Sequence, residues 1–544
     1  MAASTTSDPA VAGLQLTLSV LTATKNEAAV SALLPALDSP HAAIQEGALR
    51  AILDRRSPLG QREVLRRLHE HSERWRPIID ERRGRMSLAL RDGLLSTDAQ
   101  TCVNACDAML WFREYDLAGA LITAAEDESN PNCELAARTL LALADLLYEE
   151  LSVPRDFSHR RDPQTVRRNF TSVLEGSVQR FCRHQRKEVV SAFLVLAGRD
   201  NSTLKQILQE PRHSAYLSVL DDLLHNSRGG VVRLLLSFLD DPHAPSAAIA
   251  TLVRRCDQKF VMHLLRRIGY APTATAAQNL KRMDTIAWLR NDLMGTIDPM
   301  DDAGQHSLVQ LVMACSMKRQ DSFRVIEYVL RRGRPGGRRA AAQALAQFNG
   351  AEANGLAMKA LEDADPEVQA AAAGQLRQRG IPGALNRLIE LLDGPTEIVR
   401  ETARQSLGEF NFDRYLAAFD MLDEGVRRST GALVKKVNPN VANSLDEELA
   451  AKSRTRRLRG LGISMAMEMV PEMAASIIKL LGDEDHLVRA EAARALGQCR
   501  TDVAHAALEE ALHDRSVPVQ EAALRSLRQL GTLVYGAESN QTDE

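Results

Sequence analysis

A segment near the end of the chain occurs twice, and the distance between its two copies is what most constrains the fold. Residues 481–497 read LGDEDHLVRAEAARALG, and residues 512–527 read LHDRSVPVQEAALRSL. Matched positions are 31 residues apart, as Val488 is from Val519 and Leu496 is from Leu527. A fixed period of this length indicates a stack of repeated units. We therefore predict an all-α protein, an α-solenoid in which antiparallel helix pairs stack into a superhelix.

The pattern inside one copy predicts the helices of the unit. Val488, Ala492 and Leu496 follow each other at intervals of four residues, which places them on one face of a helix. A second apolar helix precedes it at residues 473–481. Because one helix pair cannot bury its apolar face alone, neighbouring pairs must stack. The repeats that start this apolar stripe with valine do so at Val368, Val399, Val488 and Val519, and each has a residue suited to cap the helix three positions earlier, namely Asp365, Thr396, Asp485 and Ser516.

Residues 363–376 and 483–496 closely match the pattern Asp-x-Asp-Pro-x-Val-Arg-x-x-Ala-x-x-Ala-Leu, which is typical of HEAT repeats. The chain resembles this family, in a short form similar to the repeats of phycobilisome lyases. The resemblance implies that the arginine after the stripe valine pairs with an aspartate of an adjacent turn. Arg400 and Arg489 hold that position, whereas Gln369 and Gln520 replace the arginine. We therefore expect the ladder of ion pairs to be broken.

Away from these repeats the period is less regular. The stripe after Val399 begins at Val426, 27 residues later, so one repeat is predicted to be four residues short. The predicted organisation is a disordered N-terminus at 1–10, divergent repeats at 11–150, an Arg-rich insertion or hinge at 151–187, further divergent repeats at 188–336, HEAT repeats of about 31 residues at 337–531, and a polar tail at 532–544.

Composition excludes several classes of protein. Lys plus Arg number 68 and Asp plus Glu 71, and a net charge of −3 gives no general reason for binding nucleic acid or a membrane. The seven cysteines are scattered without a Cys-x-x-Cys pair, which favours a reducing compartment, so we predict a cytoplasmic protein. Because no apolar run approaches 18 residues, we expect no membrane insertion, and the first residues are not those of a secretory signal.

Few residues suggest a catalytic or metal-binding site, and we predict no cofactor and no metal. The run His69-Glu70-His71 places its two histidines on different helix faces, and no third ligand is evident. Hydroxylases of the deoxyhypusine type resemble this fold and carry His-Glu pairs in several repeats, but here the pair occurs once. Cys102 and Cys106 share a helix face and are interpreted as small core residues.

Three basic clusters are the remaining candidates for a binding surface. Turns of successive repeats line one edge of a solenoid, so clusters there can merge into a surface for phosphates or an acidic partner. The candidate contacts are Arg167, Arg168, Arg180, Arg183, Arg331, Arg332, Arg334, Arg338, Arg339, Arg454, Arg456, Arg457 and Arg459.

Solenoids expose long surfaces and commonly bind proteins. The sequence therefore predicts a non-enzymatic scaffold or adaptor that binds a protein partner. An alternative is nucleic-acid or polyanion binding along the Arg-rich turns. A lyase or hydroxylase activity is implied only by the resemblance of the repeat.

Overall fold

A computed structural model describes residues 9–82, 84–153, 162–290 and 292–538. These residues form 34 α-helices and six short 3-10 helices, with no β-strand among them. The chain divides into two compact units, Met1–Val325 and Ile326–Glu544. Each unit is a stack of short helices in which successive helices pack on one another. The predicted all-α solenoid class is confirmed.

The helices of the first unit are α1 Pro9–Ala23, α2 Ala28–Leu33, α3 Ala42–Arg55, α4 Pro58–Arg66, α5 Leu68–Asp80, α6 Ser87–Leu94, α7 Ala99–Phe112, α8 Ala118–Glu126, α9 Cys133–Ser152, α10 Pro163–Gln179, α11 Phe181–His184, α12 Lys187–Leu196, α13 Ser202–Gln209, α14 Tyr216–His225, α15 Gly229–Ser237, α16 Ser246–Arg254, α17 Gln258–Ile268, α18 Ala274–Leu280, α19 Leu293–Ile297 and α20 Asp302–Ala314. Helix α21, Arg319–Arg332, runs across the division.

The helices of the second unit are α22 Pro335–Ala344, α23 Ala351–Ala360, α24 Pro366–Leu376, α25 Ala384–Leu392, α26 Glu397–Ser406, α27 Phe412–Ala418, α28 Glu424–Val437, α29 Val441–Leu449, α30 Arg454–Ala466, α31 Ala474–Leu480, α32 His486–Leu496, α33 Asp502–Ala511 and α34 Val517–Glu538. The 3-10 helices are Pro35–Asp38, Tyr115–Leu117, Phe238–Asp240, Ala287–Leu289, Leu345–Gln347 and Phe419–Met421.

The structure places some of the predicted segments differently from the sequence. Residues 9 and 10 already belong to α1, and residues 532–538 continue α34. Residues 1–8, 154–161 and 539–544 of the predicted terminal and inserted segments lie outside the described residues. The division at Val325 also differs from the predicted boundary at residue 336. The segment boundaries therefore remain a prediction.

The apolar stripe forms the core of the second unit. The four stripe valines, Val368, Val399, Val488 and Val519, are at most 2% exposed. The alanines four residues after them are equally buried, which lets neighbouring helices approach closely. The predicted phase of the repeat is confirmed at these positions.

The predicted stripe at Val426 is wrong, because that side chain is 41% exposed. Helix α28 buries Gly431, Val434 and Val437 instead. Arg427 turns toward the interior in the first turn, where its Nε donates to the Phe419 carbonyl at 2.8 Å and its guanidinium lies 4.5 Å from the Phe419 ring centre. The neighbouring Val426 is consequently left on the surface.

Helix caps follow the prediction in part. Asp365 accepts a hydrogen bond from the Glu367 N–H at 3.0 Å, and Asp485 accepts one from the Leu487 N–H at 2.8 Å. Thr396 makes no such bond, so this predicted cap is wrong. Two of the repeats therefore start their second helix with an aspartate that satisfies a free backbone donor.

One side chain in the first turn of the second helix closes the turn of its own repeat. In seven successive repeats this side chain donates to a backbone carbonyl of the preceding turn, most often six residues upstream. Such carbonyls at the end of a helix have no partner within the helix. The bonds are Arg338 to Gly333 at 3.0 Å, Gln369 to Asp363 at 2.6 Å, Arg400 to Gly394 at 2.8 Å, Arg427 to Phe419 at 2.8 Å, Arg457 to Ala451 at 3.0 Å, Arg489 to Asp483 at 2.8 Å and Gln520 to Asp514 at 2.6 Å.

Three of these arginines also pair with an aspartate in the next turn. The distances are 3.0 Å for Arg338–Asp363, 2.8 Å for Arg457–Asp483 and 2.8 Å for Arg489–Asp514. The ladder that the resemblance implies is thus present at Arg489. The rungs at Arg338 and Arg457 were not predicted.

Both breaks in the ladder lack the aspartate, and the break at Gln369 lacks the arginine as well. The residue 25 positions after Gln369 is Gly394, and the residue 25 positions after Arg400 is Gly425. Arg400 contacts Glu397 of its own helix instead. No carboxylate is therefore left in the broken rungs to face a missing arginine, which would be costly in a partly buried turn.

The first unit uses a related contact between neighbouring repeats. Arg255 is 1% exposed, and its guanidinium donates to the carbonyls of Leu223 and Asn226, both at 2.7 Å. Asn279 likewise donates to the carbonyls of Leu239 and Asp241 at 2.9 and 2.8 Å. Side-chain donors therefore tie helix ends together across repeats that share no regular period.

The length and apolar character of the helices determine whether any of them could cross a membrane. Within the described ranges, no helix has both the length and the apolar character that crossing a bilayer requires.

Replacing Leu496 with Ala tests the predicted core. Leu496 is 0% exposed, so Leu496→Ala should lower the free energy of unfolding by about 2–5 kcal/mol, as measured by urea denaturation followed by circular dichroism. The matched control is Leu487→Ala in the same helix, where the side chain is 40% exposed. An equal loss in the two variants would contradict the assignment of the stripe.

Acidification should weaken the ladder. The hydrogen bond from Arg489 lowers the pKa of Asp514 below its ordinary value. A carboxyl with a lowered pKa stabilises the fold above its unfolded pKa of about 4, and this contribution is lost as the pH falls through the folded value. Asp514→Asn should therefore lower the free energy of unfolding by roughly 1–3 kcal/mol at neutral pH, and the difference from wild type should shrink below about pH 4.

The control for this titration is Asp393→Asn. Asp393 pairs with Lys436 at 2.6 Å, but its side chain is 63% exposed, so the loss should be below about 1 kcal/mol. Urea denaturation across the acid range measures both variants. A pH-independent difference between Asp514→Asn and wild type would show that the ion pair does not contribute.

Candidate functional site

Most of the arginines predicted as polyanion contacts are engaged within the fold. Arg338 and Arg457 form rungs of the ladder described above. Arg167 donates to the Leu196 carbonyl at 2.7 Å, and burial lowers the pKa of its guanidinium. Six more pair with carboxylates, namely Arg180 with Glu126 at 2.9 Å, Arg331 with Glu327 at 2.8 Å, Arg339 with Asp365 at 2.7 Å, Arg454 with Asp485 at 3.2 Å, Arg456 with Glu448 at 2.5 Å and Arg459 with Asp420 at 2.6 Å.

The other predicted arginines lie at the surface. Arg334 is exposed, and Arg168 bonds to the Thr165 hydroxyl at 3.2 Å. Arg183 and Arg332 are exposed and make no hydrogen bond or ion pair with the described part of the chain. Because nearly every other arginine of the clusters faces a carboxylate or a carbonyl, the turns present mixed rather than positive charge. A continuous basic surface stays a prediction.

The side chains of the histidine and cysteine motifs are engaged in contacts within the fold. His69 Nδ1 is 3.1 Å from the Asn104 amide nitrogen, and the His71 ring packs on Trp75 with ring centres 4.7 Å apart. Cys102 and Cys106 are at most 2% exposed, and their mutual hydrogen bond together with burial raises the pKa of the Cys106 thiol. In the residues that the structure describes, no three His, Cys, Asp or Glu side chains are grouped to hold a metal ion.

The first unit contains a groove of about 710 Å³ that no sequence motif indicated. One wall is the face of α17 that carries Met262 and Arg266, and the opposite wall is the start of α20 with Met300 and Asp301. Helix α17 packs directly on α20. The helices between them in sequence, α18 and α19, have 7 and 5 residues, too few to cover this face. These residues belong to the divergent repeats predicted at 188–336, for which the sequence indicated no site.

The groove offers an apolar, adaptable lining. Met262 is 44% exposed and Tyr270 is 76% exposed, while Trp288 is 8% exposed. Methionine side chains are flexible and polarisable, and they adapt to apolar groups of different shape. The buried indole N–H of Trp288 has no hydrogen-bond acceptor in the described residues. Together these side chains suit the burial of one or two apolar groups.

The two charged side chains of the groove differ in whether the fold engages them. Arg266 is exposed and makes no ion pair or hydrogen bond with the described residues. Asp301 is engaged, because its Oδ1 accepts the Gly304 N–H at 2.7 Å and caps α20. The next residue along α17, Arg267, pairs with Asp240. Arg266 and Asp301 thus both line the groove, and of the two only Asp301 is engaged by the fold.

Comparison with known proteins identifies a family for the repeats but not for the residues of the groove. The family model for HEAT repeats matches residues 324–408 and 448–528. The search of curated protein sequences finds no match.

Solved structures give overlaps of low similarity. The karyopherin Kap121p bound to the SUMO protease Ulp1p overlaps with 97% of this chain and 79% of its own, at 10% identity and a TM-score of 0.26. A chain of the Kap95:Nup1 complex overlaps with 96% and 77%, at 11% identity and 0.27. A chain from a structure on the interaction between cadherin and beta-catenin overlaps with 96% and 96%, at 15% identity and 0.24.

The family assignment therefore depends on the repeat itself. The matched ranges contain the stripe valines, the capping aspartates and all three rungs of the ladder. The closer likeness to repeats of phycobilisome lyases stays a hypothesis. The chain contains stretches that match HEAT repeats, at residues 324–408 and 448–528.

Proposed function

We propose that this protein is a non-enzymatic scaffold that binds partner proteins, and that the groove of the first unit receives a short segment of a partner. The observation that carries the proposal is the exposed apolar wall of α17. Met262 lies 44% exposed in a concave surface whose lining also includes Trp288 and Met300. Concave apolar surfaces with a few polar groups are the usual places where proteins bind ligands.

The size of the groove limits what can enter. A volume of about 710 Å³ accommodates a few side chains, and not a folded domain. Each large apolar side chain that becomes fully buried there contributes about 1.5–3 kcal/mol. One or two such anchors on a short peptide, offset by the loss of its freedom, correspond to micromolar rather than nanomolar binding. A scaffold that binds and releases partners suits this range.

The other predicted functions have less support. Binding of nucleic acid along the Arg-rich turns stays a prediction, and the pairing of most of those arginines with carboxylates weakens it. A hydroxylase-like or lyase-like activity rests on the resemblance alone, and the two histidines of the single His-Glu-His run contact Asn104 and Trp75. The cytoplasmic location likewise remains a prediction.

Replacing Met262 with Glu tests the groove. Peptides selected from a library of random dodecapeptides displayed on phage should bind the wild-type protein and lose at least about tenfold in affinity for Met262→Glu, because a carboxylate on the wall would have to be desolvated beside the anchor. Fluorescence anisotropy measures the affinities. Thermal unfolding should be nearly unchanged, since the side chain is largely exposed.

The matched control is Met421→Glu, which changes a methionine that is 89% exposed and lies in the second unit. This variant should bind the same peptides as the wild type. If the library yields no peptide, or if the two variants bind equally well, the groove is not a docking site.

A further inference from the structure

Several arginines of the first unit are used by the fold. Arg255 binds two carbonyls and Asp257, Arg267 binds Asp240, and Arg228 binds Asp145 at 2.7 Å. Arg266 differs from them, since it lines the groove and its side chain makes no polar contact with the described residues. A guanidinium has five N–H donors in a planar fork that fits a carboxylate. Its donors at the groove are available to a ligand.

We infer that the groove selects a partner segment that carries an acidic side chain beside an apolar anchor, and that Arg266 binds this acid. The inference depends on the proposed function and specifies the chemistry of the partner. Charge complementarity supports it, because the unpaired cation is not balanced by the acid that shares the groove.

The acid in question is Asp301. One of its oxygens accepts the Gly304 N–H, and its charge is stabilised by the positive end of α20, a helix of 13 residues. No carboxylate of the described residues pairs with Arg266, Asp301 included. An incoming carboxylate therefore meets a guanidinium that gives up no internal contact when it binds.

The spacing on α17 defines the motif further. Met262 and Arg266 are four residues apart, so they lie on one face and about 6 Å apart along the helix axis. Extended peptides place side chains of the same face about 6.6 Å apart at positions i and i+2. Helical peptides place them one turn apart at i and i+3 or i+4. The partner segment should therefore carry its acid two to four residues from a large apolar side chain.

The test compares selections of random dodecapeptides on three forms of the full chain. With wild type, Asp or Glu should be enriched two to four positions from Leu, Met, Phe or Trp. With Arg266→Glu this enrichment should vanish. The matched control is Arg183→Glu, which changes an arginine of the same unit that is also exposed and unpaired but lies outside the groove. It should select the same peptides as wild type.

A double-mutant cycle then measures the contact. Changing the acid of a selected peptide to its amide should lower its affinity for wild type by about tenfold or more, and by little for Arg266→Gln. The wild-type affinity should also fall with added salt, and that of Arg266→Gln should fall less. Neither variant of Arg266 should alter thermal unfolding, because the side chain makes no internal contact.

The outcomes separate the two proposals. Peptides that require Met262 but show no acidic preference, or that bind Arg266→Glu as they bind wild type, would overturn the role of Arg266 and leave the groove as a docking site. Enrichment of basic residues would also overturn it and would point to Asp301. Absence of any peptide that depends on Met262 would overturn both the inference and the proposed function.

Discussion

The constraint on which this architecture depends is the satisfaction of backbone carbonyls at the ends of many short helices. Each helix leaves carbonyls in its last turn without an internal partner, and a stack of short helices multiplies such ends. Arginine, glutamine and asparagine side chains supply the donors. In the second unit they close the turn within each repeat, as Arg489 does for Asp483, and in the first they reach across repeats, as Arg255 does for Leu223 and Asn226. Apolar burial holds the helices together, and these bonds fix where each helix ends.

This use of donors explains why most arginines of the predicted clusters are engaged within the fold. A guanidinium that already donates to a carbonyl can reach an aspartate of the next turn, as Arg457 reaches Asp483. Where the aspartate is absent, glutamine can replace arginine as the donor and still close the turn, as at Gln369 and Gly394. The second unit therefore varies its ion pairs by losing the aspartate alone, as at Arg400, or both partners, as at Gln369, and it keeps the carbonyl bond in both cases.

The fold could be predicted from the sequence because its signal is local and periodic. Val368, Val399, Val488 and Val519 recur in phase, and a helix with that pattern has one face to bury. Val426 shows the limit, because the pattern does not reveal that Arg427 turns inward toward Phe419. The groove lay beyond prediction for a related reason. Its wall is an ordinary amphipathic helix, and its exposure depends on the shortness of α18 and α19, which the irregular sequence between residues 270 and 305 did not specify.

The regular repeats and the proposed binding site thus lie in different parts of this chain. In the regular repeats, the side chains of the stripe, the caps and the ladder are engaged in packing the helices together. Each of them has a partner in a neighbouring repeat. A divergent repeat loses some of those partners, and its side chains are then left facing a surface that no neighbour covers. Met262 and Arg266 are such side chains, one apolar and one charged, on a helix whose inward face is well buried at Phe260 and Leu264. Since the inward face alone secures the helix, the outward pair is free of the demands of folding. On the proposal made above, a partner segment covers this pair.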